Sequence, residues 1–164
     1  MTDKHAAHQR LIERLKSSAE EVRRLSMDLD ETAVARRTVP DKWSVKEILA
    51  HMARVQEVFE QRLDAMLETE GAPIVSYMPE GDPEFPAIAR KPTAELWKWY
   101  EDTRNRIVEK LARLSPADWH RKGSHPEYPA YDVHFAMEYL AHHEAHHAYQ
   151  MFSRRPPGSV PHGR

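Results

Sequence analysis

Trp43-Ser44-Val45-Lys46-Glu47-Ile48-Leu49-Ala50-His51-Met52 (residues 43–52) opens the segment on which the reading of the fold turns. Ser44 can cap a helix whose first turn follows it, and Glu47, three residues on, can reach back to the Ser44 backbone as the other half of a capping box. Trp43 and Ile48 stand where a hydrophobic staple would close around that cap. Downstream, Leu49, Met52, Val55, Val58, Phe59, Leu63 and Met66 recur at the spacing of one helix face, and the run stops near Gly71 with Pro73 beyond it. This is the best-defined helix start in the chain, and it predicts a long amphipathic helix.

Three further stretches carry the same signal. Leu11, Ile12, Leu15, Ala19, Val22, Leu25 and Leu29 mark a first helix from about Asp3 to Leu29. Leu96, Trp97, Tyr100, Ile107, Val108, Leu111 and Leu114 mark a third, beginning near Thr93. Asp132 is a good N-cap for a fourth that runs to about Ser153, before Pro156 and Pro157. Between the second and third helices, residues 72–92 carry Pro73, Pro79, Pro83, Pro86 and Pro92, the mark of an ordered but irregular crossover. Ser115-Pro116-Ala117-Asp118 reads as a capped short turn, followed by a polar loop through Pro126 and Pro129. The expected architecture is an all-α four-helix bundle with a long crossover loop between helices two and three, in which simple up-down-up-down order need not hold. Residues 1–164 form one domain in this reading, with 154–164 a loose tail.

Composition narrows the function. The 164 residues are 40% hydrophobic and 30% charged with only 5 glycines, which fits a soluble helical protein better than a disordered or turn-rich one. A formal net charge of −2 leaves no basic excess for nucleic acid or anionic lipid. The opening MTDKHAAHQRLIERLK is charged throughout, and no stretch approaches the roughly 18 apolar residues of a membrane span, so the expected setting is the cytoplasm, without membrane contact. There are no cysteines, so any metal must be held by nitrogen and oxygen.

The chain has 11 histidines, four of them in His142-His143-Glu144-Ala145-His146-His147. At about 100° per residue, Ala136, Leu140, His143, His147 and Gln150 fall within an arc of roughly 80°, which puts His143 and His147 on the apolar stripe and turns His142 and His146 toward the flank. An i, i+4 pair brings two imidazoles to one ion. His51 is the histidine of the second helix and shares a face with Val55 and Val58, so it points to the interior as a third candidate. Alone, His51 reads more readily as a hydrogen-bonded core residue than as a ligand, and HHEAHH can be a polar helix end; the joint pattern favours an open three-histidine site with room for water. Gln150 shares the stripe as a candidate partner of a ligand. Glu144 is a candidate general base, although it lies about 100° from His143 and can instead face solvent or another helix. Tyr77, Tyr128 and Tyr131 fall in connections, where they pack loops or line a pocket mouth. His143, Glu144 and His147 also spell HExxH, but after His147 the sequence carries only His162 and no Asp or Glu, so the context of a metallopeptidase is missing.

Trp43 to His51 and His143-Glu144-Ala145-His146-His147-Ala148-Tyr149-Gln150 together resemble the DinB-like superfamily of metal-binding four-helix bundles, in its branch described as metal-dependent hydrolases. The start of helix three and the Leu114-Ser115-Pro116-Ala117-Asp118-Trp119 turn are similar too, and the likeness spans roughly residues 8–153. It implies a divalent ion, often zinc or nickel, held by His51, His143 and His147, with frequent homodimerisation. It does not single out one reaction: hydrolysis of a small molecule is the first expectation, transfer or isomerisation with an external low-molecular-weight thiol the second. A stress protein that binds metal or ligand without turnover is the third.

Overall fold

The computed structural model describes residues 3–161. Its long helices are α1 (Asp3–Ser26), α3 (Val45–Glu68), α5 (Thr93–Ala112) and α6 (Val133–Arg154), joined through the short α2 (Glu31–Ala35) and α4 (Phe85–Ile88). The four expected helices are all present. At the head of α3 the capping box is complete: the Glu47 amide donates to the Ser44 hydroxyl at 3.1 Å, and the Ser44 amide donates to the Glu47 carboxylate at 3.1 Å. Asp132 caps α6 through the Phe135 amide at 2.7 Å.

The end of the first helix and the connections differ from the sequence reading. The first helix stops at Ser26 rather than Leu29, because Asp30 caps a separate turn, α2, by accepting from the Ala33 amide. The connections expected to be irregular hold a small sheet of β1 (Ala72–Pro73), β2 (Lys122–Ser124) and β3 (Tyr131–Asp132). β1 lies parallel to β2, and β2 antiparallel to β3. Gly123 is needed there, since a Cβ would meet the Ile74 side chain at 2.8 Å. Strands this short show no period in a sequence.

Around the bundle, α3 packs on α5 and α6 while α1 packs on α6 and α5, so consecutive long helices α1 and α3 face each other across the interior. The core has two apolar clusters. One contains Leu11, Leu15, Phe59, Leu63, Ile107, Leu111, Met137 and Leu140; the other contains Val22, Leu25, Ile48, Leu49, Leu96, Tyr100 and Met151. The order in which each helix enters them sets its direction: α3 and α5 run one way, α1 and α6 the other. A parallel α3–α5 pair requires a connection that returns to the starting end, which is what residues 72–92 supply. Arg54 on α3 ties that crossover down through Asp82 at 3.0 Å and Glu84 at 2.7 Å.

Between the clusters lies a polar layer with one side chain from each long helix. Arg104 donates to Gln56 at 2.6 Å and to Glu144 at 2.7 Å, and Ser18 donates to the same Glu144 oxygen at 2.7 Å. Gln56 in turn donates to the Tyr100 carbonyl at 2.9 Å. Arg104 and Glu144 are each only 2% exposed. Of residues 154–164, expected as a loose tail, Arg154 closes α6, 155–161 are tied down, and 162–164 lie outside the described residues. Arg155 is buried and grips both oxygens of Asp28 at 2.7 Å, and Arg24 donates to the Pro161 carbonyl. The proline pair stops the helix without freeing the chain, because the tail bonds to α1 and the residues just after it as well as turning on itself through Ser159 and Pro156.

Removing one member of the buried pair strands the other's charge, which costs about 3–5 kcal/mol. Arg104→Met is therefore expected to lower the unfolding free energy by about that amount in urea titrations, while Arg104→Met combined with Glu144→Leu recovers much of the loss. A second expectation concerns pH. His8 on α1 is buried and stacked on Trp119 at 4.2 Å. Burial, then the neighbouring His134 and His120, hold its pKa below the usual 6.5. As pH falls below that value the unfolded chain binds a proton that folded His8 resists, so stability present above pH 6.5 is lost on acidification. His8→Phe is expected to flatten the fall in the urea midpoint between pH 7 and pH 5.

Candidate metal centre

His51 comes from the second turn of α3, and His143 and His147 stand one turn apart on α6, across the α3–α6 seam. Their Nε2 atoms converge: His51 to His143 at 3.3 Å, and His147 to His143 at 3.1 Å. One nitrogen from each of the three lies within 4.8 Å of the others, the geometry of a cluster able to hold a metal ion. His51 and His147 are buried and His143 is half-buried, whereas His142 and His146 are exposed, as their helical phase predicts.

Burial, followed by the charge of the neighbouring imidazoles, pushes His51 down to about 3 and His143 down to about 4; burial also lowers His147. All three rings are therefore neutral at pH 7. The Gln150 Oε1 lies 2.8 Å from His147 Nδ1, so the Nδ1–H tautomer is the one that is satisfied and its Nε2 offers a lone pair inward. Gln150 thus occupies the expected position beside a candidate ligand, and its amide nitrogen reaches His146 at 3.2 Å. Three neutral rings cannot all donate to one another through single N–H groups, and lone pairs crowded at about 3 Å repel unless a cation or proton sits among them. This donor set, all imidazole nitrogen, suits borderline divalent ions.

Glu144 is not brought to the triad. It sits on the bundle side of α6, engaged by Arg104 and Ser18, and does not line the cavity next to the histidines. Burial raises its carboxyl well above the usual range. The buried stripe of α6 passes through Met137, Leu140, Ala141, Glu144, His147 and Met151, with His143 at its margin. The arc drawn from apolar residues alone was rotated toward His143 because Glu144 counted as polar, and only Arg104 makes its burial tolerable.

The triad opens on a cavity of about 370 Å³. Val55, Val58 and Phe59 extend the apolar face of α3 along it, while Tyr77 of the crossover, His125 and Tyr128 of the β2–β3 loop and Tyr131 of β3 close it. The three tyrosines expected in loops all line this space. Trp43 does more than staple α3: its ring lies 5.0 Å from His51 and 5.3 Å from Phe85, forming the wall behind the triad. Tyr139 and Arg62 were not singled out by sequence reasoning. Tyr139 stacks on Phe59 at 5.8 Å, one turn before His143 on α6, and that i, i+4 relation to a candidate ligand was the available signal. Burial holds the phenols of Tyr131 and Tyr139 above their usual range, so both remain protonated donors at neutral pH.

Among curated proteins none matches the sequence. Among solved structures, YfiT from Bacillus subtilis, described as a probable metal-dependent hydrolase with an unusual four-helix bundle topology, aligns at a TM-score of 0.81. The alignment covers 93% of this chain and 87% of that one at 14% identity, a likeness of fold. The family model described as the DinB superfamily matches residues 7–151, from the first helix to the end of the histidine helix. With that match running through all four long helices and both segments that bear the triad, the chain belongs to the DinB superfamily.

Proposed function

We propose that the protein binds one divalent cation through Nε2 of His51, His143 and His147 and hydrolyses a small molecule held in the adjoining cavity. The observation that carries this reading is the convergence of three neutral imidazole nitrogens at the inner end of that cavity. A cation held by three protein nitrogens with an open position would lower the pKa of water toward neutrality and polarise a carbonyl oxygen. The chain's own residues supply the setting. Gln150 orients His147, Trp43 and Phe85 keep the His51 side apolar, and the Tyr131 and Tyr139 hydroxyls offer hydrogen bonds to substrate oxygens. Glu144 is assigned to the bundle rather than to proton transfer, so the general-base role is left to water or to substrate. Zinc or nickel suits the all-nitrogen donor set.

Space beside the triad favours turnover over a filled, non-catalytic binding site. It also admits a second reading, in which an external low-molecular-weight thiol takes the open position and the reaction is transfer or isomerisation. The chain has no cysteine, so that route needs added thiol. Turnover of activated esters or amides by the zinc-loaded protein without thiol supports hydrolysis; turnover that appears only when thiol is supplied supports the alternative. Among the described residues no helix is long and apolar enough to cross a membrane. A cytoplasmic homodimer remains part of this reading.

Elemental analysis of protein purified without an affinity tag is expected to find about one equivalent of divalent metal in the wild type. His51→Ala and His147→Ala should hold far less, because two nitrogens and water replace three. Equal substoichiometric content in all three would remove the central claim. Gln150→Ala should weaken metal affinity by about 10–100-fold in a chelator competition while leaving the fold intact.

A further inference from the structure

Arg62 is the one Lys or Arg among the described residues that line the cavity. It follows His51 by three turns of α3, about 20° from the same azimuth, so the two side chains share a helix face with Val55 and Phe59 between them. Its guanidinium carbon lies 4.8 Å over the Phe59 ring. Nη1 donates to the Tyr131 hydroxyl at 3.2 Å and Nη2 to the Val75 carbonyl at 2.7 Å, while Nε is enclosed without any partner. A guanidinium carries five N–H donors, so three are left over.

Among the described residues no carboxylate pairs with this charge. Arg54, two turns earlier on the same helix, is paired with Glu57, Asp82 and Glu84. Arg62 is joined only to neutral oxygens, among the described residues. Glu80 and Glu127 line the cavity but are exposed, and Glu127 accepts from the Ser76 hydroxyl. A half-buried guanidinium, stacked on an aromatic ring and held by two neutral acceptors, has its remaining donors fixed in the fork that suits a planar anion. Holding an uncompensated charge in such a wall is unfavourable for the free protein. A ligand anion would relieve that cost.

We propose that Arg62 anchors a carboxylate on the substrate, so that the molecule taken is a small, flat, largely apolar acid with its reacting group at the triad and its carboxylate at Arg62. Phe59 and Tyr139, stacked on each other and lining the same cavity, offer their ring edges to the apolar body. The carboxylate takes the two Nη protons that Tyr131 and Val75 leave open. This deepens the metal-site reading and rests on it for the orientation of the substrate, though not for the anion site itself.

The test uses two probes that differ at one end. 4-(Carboxymethyl)benzohydroxamic acid carries a metal-binding head and a carboxylate, and its primary amide carries the same head and a neutral end. Calorimetry on the zinc-loaded protein is expected to show the acid binding about tenfold to a hundredfold tighter than the amide. Arg62→Gln should bring that ratio close to one with zinc content and amide affinity unchanged, and Arg62→Lys should restore part of it. Equal affinity for acid and amide in the wild type, or an acid preference that survives Arg62→Gln, overturns the proposal. Chelator-stripped protein separates the two readings. If zinc removal leaves both affinities unchanged, the triad is not a metal site, while the ratio of acid to amide still judges Arg62.

Discussion

Arg104 crosses the interior of the bundle from α5 to α6, and every long helix contributes an atom to the cage around it. Gln56 comes from α3, Glu144 from α6, and the Leu15 carbonyl and Ser18 hydroxyl from α1. Apolar side chains can slide past one another at modest cost, but a buried guanidinium with fixed donors accepts few arrangements of its partners. The layer therefore sets the rotation and axial position of all four helices at once. Pairing with Arg104 turns Glu144 inward, and His143 and His147 are thereby carried to the α3 side, where His51 waits.

The triad is built asymmetrically on that frame. His147 has its outer nitrogen held by Gln150, whereas Nδ1 of His51 is enclosed without a partner and that ring is positioned by packing against Trp43. One ring is thus oriented by a hydrogen bond and the other by apolar contact, so their tautomers are controlled with different stringency. The cavity beyond is likewise composite. Its floor is rigid helix, and its cover is loop, tied to α3 by Arg54 at one point and by Arg62 at another. The tiny three-stranded sheet joins the crossover to the segment that carries His125 and Tyr128, so both covers move as one if they move at all.

Much of this is legible in the sequence. Ser44, Glu47 and Asp132 announce their helices because capping is a contact between residues three apart, and such contacts are written locally. His143 and His147 could be separated from His142 and His146 because helical phase is arithmetic. Glu144 was harder. Its spacing allowed solvent, a neighbouring helix or the metal, and the choice depended on Arg104, which is 40 residues away. Arg62 passed unnoticed for a similar reason. A lone arginine on a long amphipathic helix looks like any other until the neighbours that fail to neutralise it can be seen.

The sequence by itself determined four amphipathic helices, the caps of the second and fourth, a long connection between the second and third, and that His143 and His147, rather than His142 and His146, turn toward the interior. These follow from 3.6-residue periodicity and from short-range hydrogen bonding, both local properties of the chain. The tertiary structure alone decided that consecutive helices lie across the bundle from one another, that HExxH turns its glutamate away from the histidines, and that an aromatic cavity with one unanswered guanidinium opens beside them. Those outcomes depend on which distant side chain meets which. That is settled by packing and by the requirement that each buried charge find a partner, which no local pattern records.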